Sequence, residues 1–203
     1  MSNSPQFQRT NKAIIQAMIN LLKTKPFEKI TVQDILDETP VTRATFYAHF
    51  QDKYEIAERM LAQFFELKES VKKNAHTGTS TSFSASMKKI FNDNRDLTNA
   101  LLKIHTGKVD FRQAIANELK RDYLAMSTSP NKEIEARVYS QAYAELHLAY
   151  IDSPFRDFSL EGITEICMNI TLHLLGLDGD DETRLFLYNR IAKNTIAKPK
   201  NIY

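Results

Sequence analysis

Hydrophobic positions recur every three or four residues along most of the chain, which is the spacing of amphipathic helices. β-Branched residues rarely alternate with polar ones, and the chain contains only five glycines. The first hydrophobic stripe predicts a helix from about Phe7 to Lys25, which Pro26 ends because proline cannot continue a helix. The overall pattern therefore predicts an all-α fold.

Two short helices are predicted directly after this first one. Thr31 begins the second helix with a capping-box pattern that pairs it with Asp34, and Pro40 stops that helix. Thr42 can cap a third helix over Arg43–Phe50. Two short helices separated by a tight turn indicate a helix-turn-helix unit.

A long fourth helix and a series of C-terminal helices are predicted next. Asp52 begins the fourth helix, which runs to about Lys73, and Glu55 completes a second capping box. Residues 74–86 are rich in Ser and Thr and indicate a loop. The remaining helices are predicted near residues 84–93, 95–106, 109–127, 131–152, 159–176 and 181–196.

The third helix has the chemistry that a DNA recognition helix needs. Such a helix lies in the major groove, so it presents small or polar side chains outward and anchors its other side to the domain. Val41, Phe46 and Phe50 can supply the anchor. The outward side chains are Thr42, Arg43, Ala44, Thr45, Tyr47, Ala48 and His49.

The segment TVQDILDETPVTRATFYAHFQDK resembles the DNA-binding region of the tetracycline-repressor (TetR/AcrR-like) family of bacterial transcriptional regulators. That family shows a threonine-led helix, a turn, the run Val-Ser/Thr-x-x-Thr-Phe/Leu-Tyr-x-His/Tyr-Phe and then a lysine. The positions in register are Thr31, Val41, Thr42, Thr45, Phe46, Tyr47, His49, Phe50 and Lys53. Pro40 departs from the pattern, because the family usually has glycine in the turn.

The resemblance implies a role for each matching residue. Phosphate contacts are expected from Thr45, Tyr47 and Lys53, with help from Thr31, Thr42 and His49. Base-edge contacts are expected from Arg43, Ala44 and Ala48, with Gln33 reaching in from the preceding helix. Arg43 is the candidate for direct readout, because a guanidinium can bond guanine O6 and N7 together. Structural roles remain open as alternatives: Thr31 and Thr42 can serve as helix caps alone, and Tyr47 and His49 can serve in packing alone.

Composition changes this picture little. Residues 1–53 carry seven basic and five acidic side chains, so the motif and not the charge carries the case for DNA. The single cysteine, Cys167, cannot form an internal disulfide. Since neither an apolar run long enough for a membrane span nor a signal-peptide pattern is evident, we expect a cytoplasmic protein with no membrane contact.

The domain organisation follows from these assignments. We predict a helix-turn-helix DNA-binding domain at residues 1–53 and a helical ligand-sensing and dimerisation domain at residues 54–203. Helices 131–152 and 159–176 match the pair that forms an intersubunit four-helix bundle in the family. Their candidate interface residues are Val138, Ala142, Leu146, Ala149 and Tyr150 on the first, and Ile163, Ile166, Ile170, Leu174 and Leu175 on the second.

The function expected from the resemblance is a homodimeric regulator, in the family's usual form a repressor, that binds a palindromic double-stranded DNA operator and is released by an unidentified small molecule. A co-regulator that acts by protein–protein contact without DNA is the alternative. No cofactor or metal is expected, because His105, His147 and His173 lack ligand spacing. Since no nucleophile–base arrangement is recognisable, the protein is not expected to be an enzyme.

Overall fold

The computed structural model describes residues 4–74, 89–152 and 160–176, and regular structure within these ranges is helical apart from one isolated β-bridge. The predicted all-α fold is confirmed. The predicted helix at 181–196 and the first residues of the one at 84–93 lie outside the described residues. The helices are α1 (Pro5–Thr24), α2 (Val32–Asp37), α3 (Arg43–His49), α4 (Lys53–Asn74), α5 (Arg95–Leu101), α6 (Phe111–Met126), α7 (Lys132–Asp152) and α8 (Leu160–Leu175), with a 3₁₀ turn at Phe27–Lys29.

The chain divides into two compact units. The N-terminal unit comprises Met1–Phe65 and Arg95–Phe111, and the C-terminal unit comprises Glu66–Asn94 and Arg112–Tyr203. Helix α4 therefore contributes its first residues to one unit and its last residues to the other. The functional division into residues 1–53 and 54–203 stays a prediction.

The N-terminal unit has its core around α1, which packs against α2, α3 and α5. Ser4 begins α1 as its cap, since the Ser4 hydroxyl accepts a hydrogen bond from the Phe7 N–H at 3.2 Å. The largest fully buried side chains of this core include Ile14, Met18, Leu22, Phe27, Ile30, Ile35, Phe46, Ile56, Met60, Phe64 and Phe111. Burying these side chains holds the two short helices α2 and α3, which would not be stable alone.

The start of α4 differs in one detail from its prediction. The Asp52 carboxylate caps the helix by accepting from the N–H groups of Tyr54 and Glu55, at 2.8 and 3.0 Å. The Glu55 carboxylate, however, accepts from the Gln51 N–H at 2.6 Å, whereas the capping box predicts the Asp52 N–H. The long Glu55 side chain thus reaches one residue further back along the chain.

Helix α5 ends at Leu101, so its predicted extension to residue 106 is wrong. The Thr106 hydroxyl accepts from the Lys108 and Val109 N–H groups, and the Thr106 N–H donates to the Val109 carbonyl. A threonine side chain that bonds nearby backbone in this way competes with helix formation. The helix itself ends earlier, where the Lys103 and Ile104 N–H groups donate to the Ala100 and Leu101 carbonyls, and the turn at residues 106–109 follows.

The C-terminal unit contains a core of closely packed, tilted tyrosine rings. The rings of Tyr123 and Tyr139 lie 4.8 Å apart, and those of Tyr139 and Tyr143 lie 4.0 Å apart. The Tyr123 hydroxyl donates to the Glu135 carboxylate at 3.0 Å. Burial, with this carboxylate, raises the pKa of Tyr123 to about 12, so the hydroxyl stays protonated and keeps donating. These three tyrosines are thus packing residues of the unit.

Candidate nucleic-acid interface

The turn between α2 and α3 is formed without a glycine. Helix α2 ends at Glu38, whose backbone is right-handed (φ −89°, ψ −5°) and whose N–H donates to the Asp34 carbonyl. The Thr39 hydroxyl donates to the Ile35 carbonyl at 3.0 Å and closes the helix end. The turn therefore has proline, whose ring holds φ at about −65°, at the position where the family usually has glycine.

Helix α3 has one buried face and one exposed face, as predicted. Phe46 is completely buried, and Phe50 is nearly so. The exposed residues at the start and along the outside of the helix are Thr42, Arg43, Ala44, Tyr47 and Ala48, while Thr45 and His49 are half-buried. The outer surface therefore offers a guanidinium, a phenol and small side chains, which suit base edges and phosphates.

Thr31 and Thr42, which were expected to assist the phosphate contacts, are both helix caps. The Thr42 hydroxyl accepts from the Thr45 N–H at 3.1 Å and shares a hydrogen bond with the Thr45 hydroxyl at 2.9 Å. The Thr31 hydroxyl accepts from the Asp34 N–H, and the Asp34 carboxylate accepts from the Thr31 N–H, which confirms the predicted capping box. Lys25, at 2.6 Å, and Thr31 together lower the pKa of Asp34 to about 2, so this box is charged at neutral pH.

His49 ties the recognition helix to α1. Its Nδ1 lies 2.6 Å from the Asn11 Oδ1, and its ring stacks on the Phe7 ring with the centroids 3.9 Å apart. Burial holds the pKa of His49 below its ordinary value, which favours the neutral ring at neutral pH. The half-buried ring is therefore placed to hold α3 in position, and a phosphate contact from it stays a prediction.

Lys53 is bound to backbone carbonyls. Its ammonium donates to the carbonyl oxygens of Phe27, Glu28 and Ile30, each at 2.9 Å, and lies 4.9 Å from the centre of the Phe27 ring. An ammonium has three donors, and all three are used here. Lys53 thus joins the start of α4 to the 3₁₀ turn, and this geometry argues against the phosphate contact expected from the sequence.

We expect Lys53→Met to lower the free energy of unfolding by about 2 kcal/mol, because it removes the ammonium donor from three carbonyls, of which only that of Phe27 keeps a second donor, the Ile30 N–H. Urea unfolding measures this change. Lys29→Met is the matched control, since Lys29 is an exposed lysine of the same 3₁₀ turn. The salt dependence of DNA binding should stay the same in Lys53→Met. A slope shallower by about one unit would instead show that Lys53 neutralises a phosphate.

Gln33 and Arg43 are brought together from α2 and α3. An Arg43 Nη2 donates to the Gln33 Oε1 at 2.6 Å, and the Gln33 Nε2 donates to the Asp37 Oδ1 at 2.8 Å. Sequence reasoning did not assign a role to Asp37 or to Asn11. Gln33 and Asp37 are four residues apart on one helix, and this spacing could have predicted the role of Asp37. Nothing local connects Asn11 with His49.

A family model for bacterial regulatory proteins of the tetR family matches residues 14–60. The N-terminal domain is of the TetR family. The match includes most of α1, both helices of the helix-turn-helix unit and the start of α4. The resemblance found from the motif is thereby confirmed.

The fold of the whole chain is similar to that of full-length TylP, a TetR regulator from Streptomyces fradiae. The two structures have a TM-score of 0.55 and 16% sequence identity, and the similarity covers 97% of this chain and 96% of TylP. No curated protein sequence matches the chain significantly. Within the described ranges no three His, Cys, Asp or Glu side chains form a cluster that could hold a metal ion, and no helix is long and apolar enough to cross a membrane.

Proposed function

We propose that this protein is a cytoplasmic transcriptional regulator, most simply a repressor, that binds a palindromic operator as a homodimer and is released by a small molecule. The observation that carries the proposal is the exposed face of α3, with Arg43, Ala44, Tyr47 and Ala48, in a TetR-family domain. A surface of this composition suits DNA binding and provides no catalytic group arrangement.

We assign each side chain to base-edge contacts, phosphate contacts or a structural role according to its chemistry. Arg43, Ala44 and Ala48 are assigned to base edges, and Tyr47 and Thr45 to phosphates. Thr31 is assigned to capping alone, because its hydroxyl proton is donated to the Asp34 carboxylate at 2.8 Å. Thr42 also caps a helix, and because it shares one hydrogen bond with Thr45, only one of these two hydroxyls can donate to a phosphate oxygen at a time. Lys53 is assigned to structure because its donors are occupied.

Dimerisation is assigned to α7 and α8, which pack against each other in the C-terminal unit. Among the described residues of that unit, three large hydrophobic residues are exposed, and these three are on α7 and α8: Ile134 at 70%, Val138 at 56% and Ile166 at 37%. Exposed apolar residues gathered on one helix pair are typical of an association surface. Ile134 was not among the residues expected from the sequence.

Some residues expected at the dimer interface belong to the core of their own subunit. Leu146, Ile170 and Leu174 pack against the tyrosine cluster and are partly buried there. The side chains of Tyr150, Ile163 and Leu175 lie outside the described set. Support for the interface therefore rests on Ile134, Val138 and Ile166.

The test is fluorescence anisotropy with duplexes from the DNA upstream of the gene and with scrambled duplexes, titrated with salt. Tight binding that prefers the upstream DNA and weakens steeply with salt supports the proposal. Ala48→Glu, which puts a negative charge on the exposed face of α3, should abolish the preference. Ala125→Glu is the matched control, because Ala125 is also an exposed helical alanine, on α6, and this change should leave the preference intact.

If the protein does not prefer the upstream DNA, the next experiment is selection of bound duplexes from random sequences. A selected palindrome supports a DNA-binding regulator with a distant operator. If no sequence is enriched, the protein is a co-regulator that acts by contact with other proteins. Small molecules that release a bound duplex then identify the effector.

A further inference from the structure

An exposed arginine that reads a base loses side-chain conformational entropy when it binds. Its long side chain samples many rotamers in water, and holding it in one orientation on DNA opposes binding. A protein that orients the guanidinium beforehand reduces this cost and also determines which base edge the planar fork meets. The surroundings of Arg43 are arranged in this way.

A chain of hydrogen bonds holds the Arg43 guanidinium. Arg43 Nη2 donates to the Gln33 Oε1 at 2.6 Å, and the same amide donates through Nε2 to the Asp37 Oδ1 at 2.8 Å. Gln33 and Asp37 lie four residues apart on α2, whereas Arg43 begins α3. The Asp37 carboxylate polarises the amide between them, which strengthens the bond to the cationic guanidinium.

The hydrogen-bond donors and acceptors of Arg43 and Gln33 indicate different roles for the two side chains. A guanidinium has five N–H donors, and guanine needs two, so Arg43 can bond Gln33 and guanine together. A glutamine that reads adenine uses both its amide oxygen and its amide nitrogen. In Gln33 each of these atoms is already bonded to a protein partner in an orientation that serves Arg43.

We propose that Gln33 is a positioning residue that orients Arg43 for guanine, with Asp37 as its anchor, and that it does not read a base itself. The inference rests on the proposed function, because it needs a DNA operator. It makes the preference at a single base pair depend on a residue of α2 that does not contact that base pair.

The test combines random-sequence selection with anisotropy for the wild type, Gln33→Ala, Arg43→Ala and the double variant. We expect Gln33→Ala to lower the affinity for the selected operator about three- to tenfold, as expected for restored freedom of one long side chain. It should relax the preference at the same base pair as Arg43→Ala. The double variant should bind no more weakly than Arg43→Ala, since Gln33 acts through Arg43.

Conservative and matched variants test the mechanism. Asp37→Asn keeps an acceptor for Gln33 and should preserve the base preference, whereas Asp37→Ala should relax it at the same position. Gln113→Ala removes an exposed glutamine of α6 with the same type of bond, to Asn117 at 2.8 Å, and should change neither affinity nor preference. Unchanged thermal melting of these surface variants shows that the effects are not losses of fold.

Two outcomes would overturn the inference, and they are distinguishable. If Gln33→Ala changes the preference at a different base pair and its effect adds to that of Arg43→Ala, then Gln33 reads DNA directly and only the inference fails. If the wild type enriches no sequence, the proposed function fails and the inference fails with it.

Discussion

Replacing Ile134 and Val138 together by glutamate is expected to lower the affinity for a palindromic operator at least about 100-fold. Both side chains are exposed on α7, at 70% and 56%, and they lie four residues apart on one helical face. In the proposed dimer interface the two glutamates would be desolvated, which opposes association. A monomer then binds only one half-site and loses the added energy of the second.

Sedimentation and anisotropy measure the two parts of this prediction. The variant should sediment as a monomer and still bind a single half-site as weakly as the wild type does. Ala125→Glu on α6 is the control for an added charge in the same unit, and it should remain dimeric. A double variant that stays dimeric and binds the operator normally would place the dimer interface elsewhere.

Replacing Lys68 by methionine is expected to lower the free energy of unfolding by about 3–5 kcal/mol. Lys68 on α4 is paired with Glu118 on α6, and their side chains are only 11% and 6% exposed. Methionine keeps the apolar stem of the lysine but removes the ammonium of Lys68 from the buried Glu118 carboxylate. A buried charge that loses its partner is among the most destabilising changes known for single substitutions.

Urea unfolding of single and double variants tests this pair. Lys68→Met combined with Glu118→Leu should recover most of the lost stability, because an apolar pair replaces both charges. The control is Glu145→Gln, which breaks the exposed pair of Glu145 with Arg112 and should cost less than about 1 kcal/mol. A loss of similar size for Lys68→Met and Glu145→Gln would mean that water reaches the Lys68–Glu118 pair.

Local features of the fold could be predicted because their causes lie within one helical turn. The capping box of Thr31 and Asp34, the cap at Thr42 and the buried and exposed faces of α3 all follow from residues three or four positions apart. The end of α5 could not be predicted from periodicity. The Lys103 and Ile104 N–H groups donate to carbonyls only three residues back, and a separate turn closed by the Thr106 hydroxyl follows. The hydrophobic pattern contains no sign of either change.

The sequence by itself determined the all-α fold, the helix-turn-helix unit and its TetR-family motif, since spacing and capping are local and leave a readable pattern. The tertiary structure decided what the charged and polar side chains of that motif do. Lys53 binds carbonyls 23–26 residues away, His49 bonds Asn11 38 residues away, and Arg43 meets Gln33 across the turn. Long side chains take the partners that helix packing brings near them, so the same motif residue can face DNA or hold the domain together.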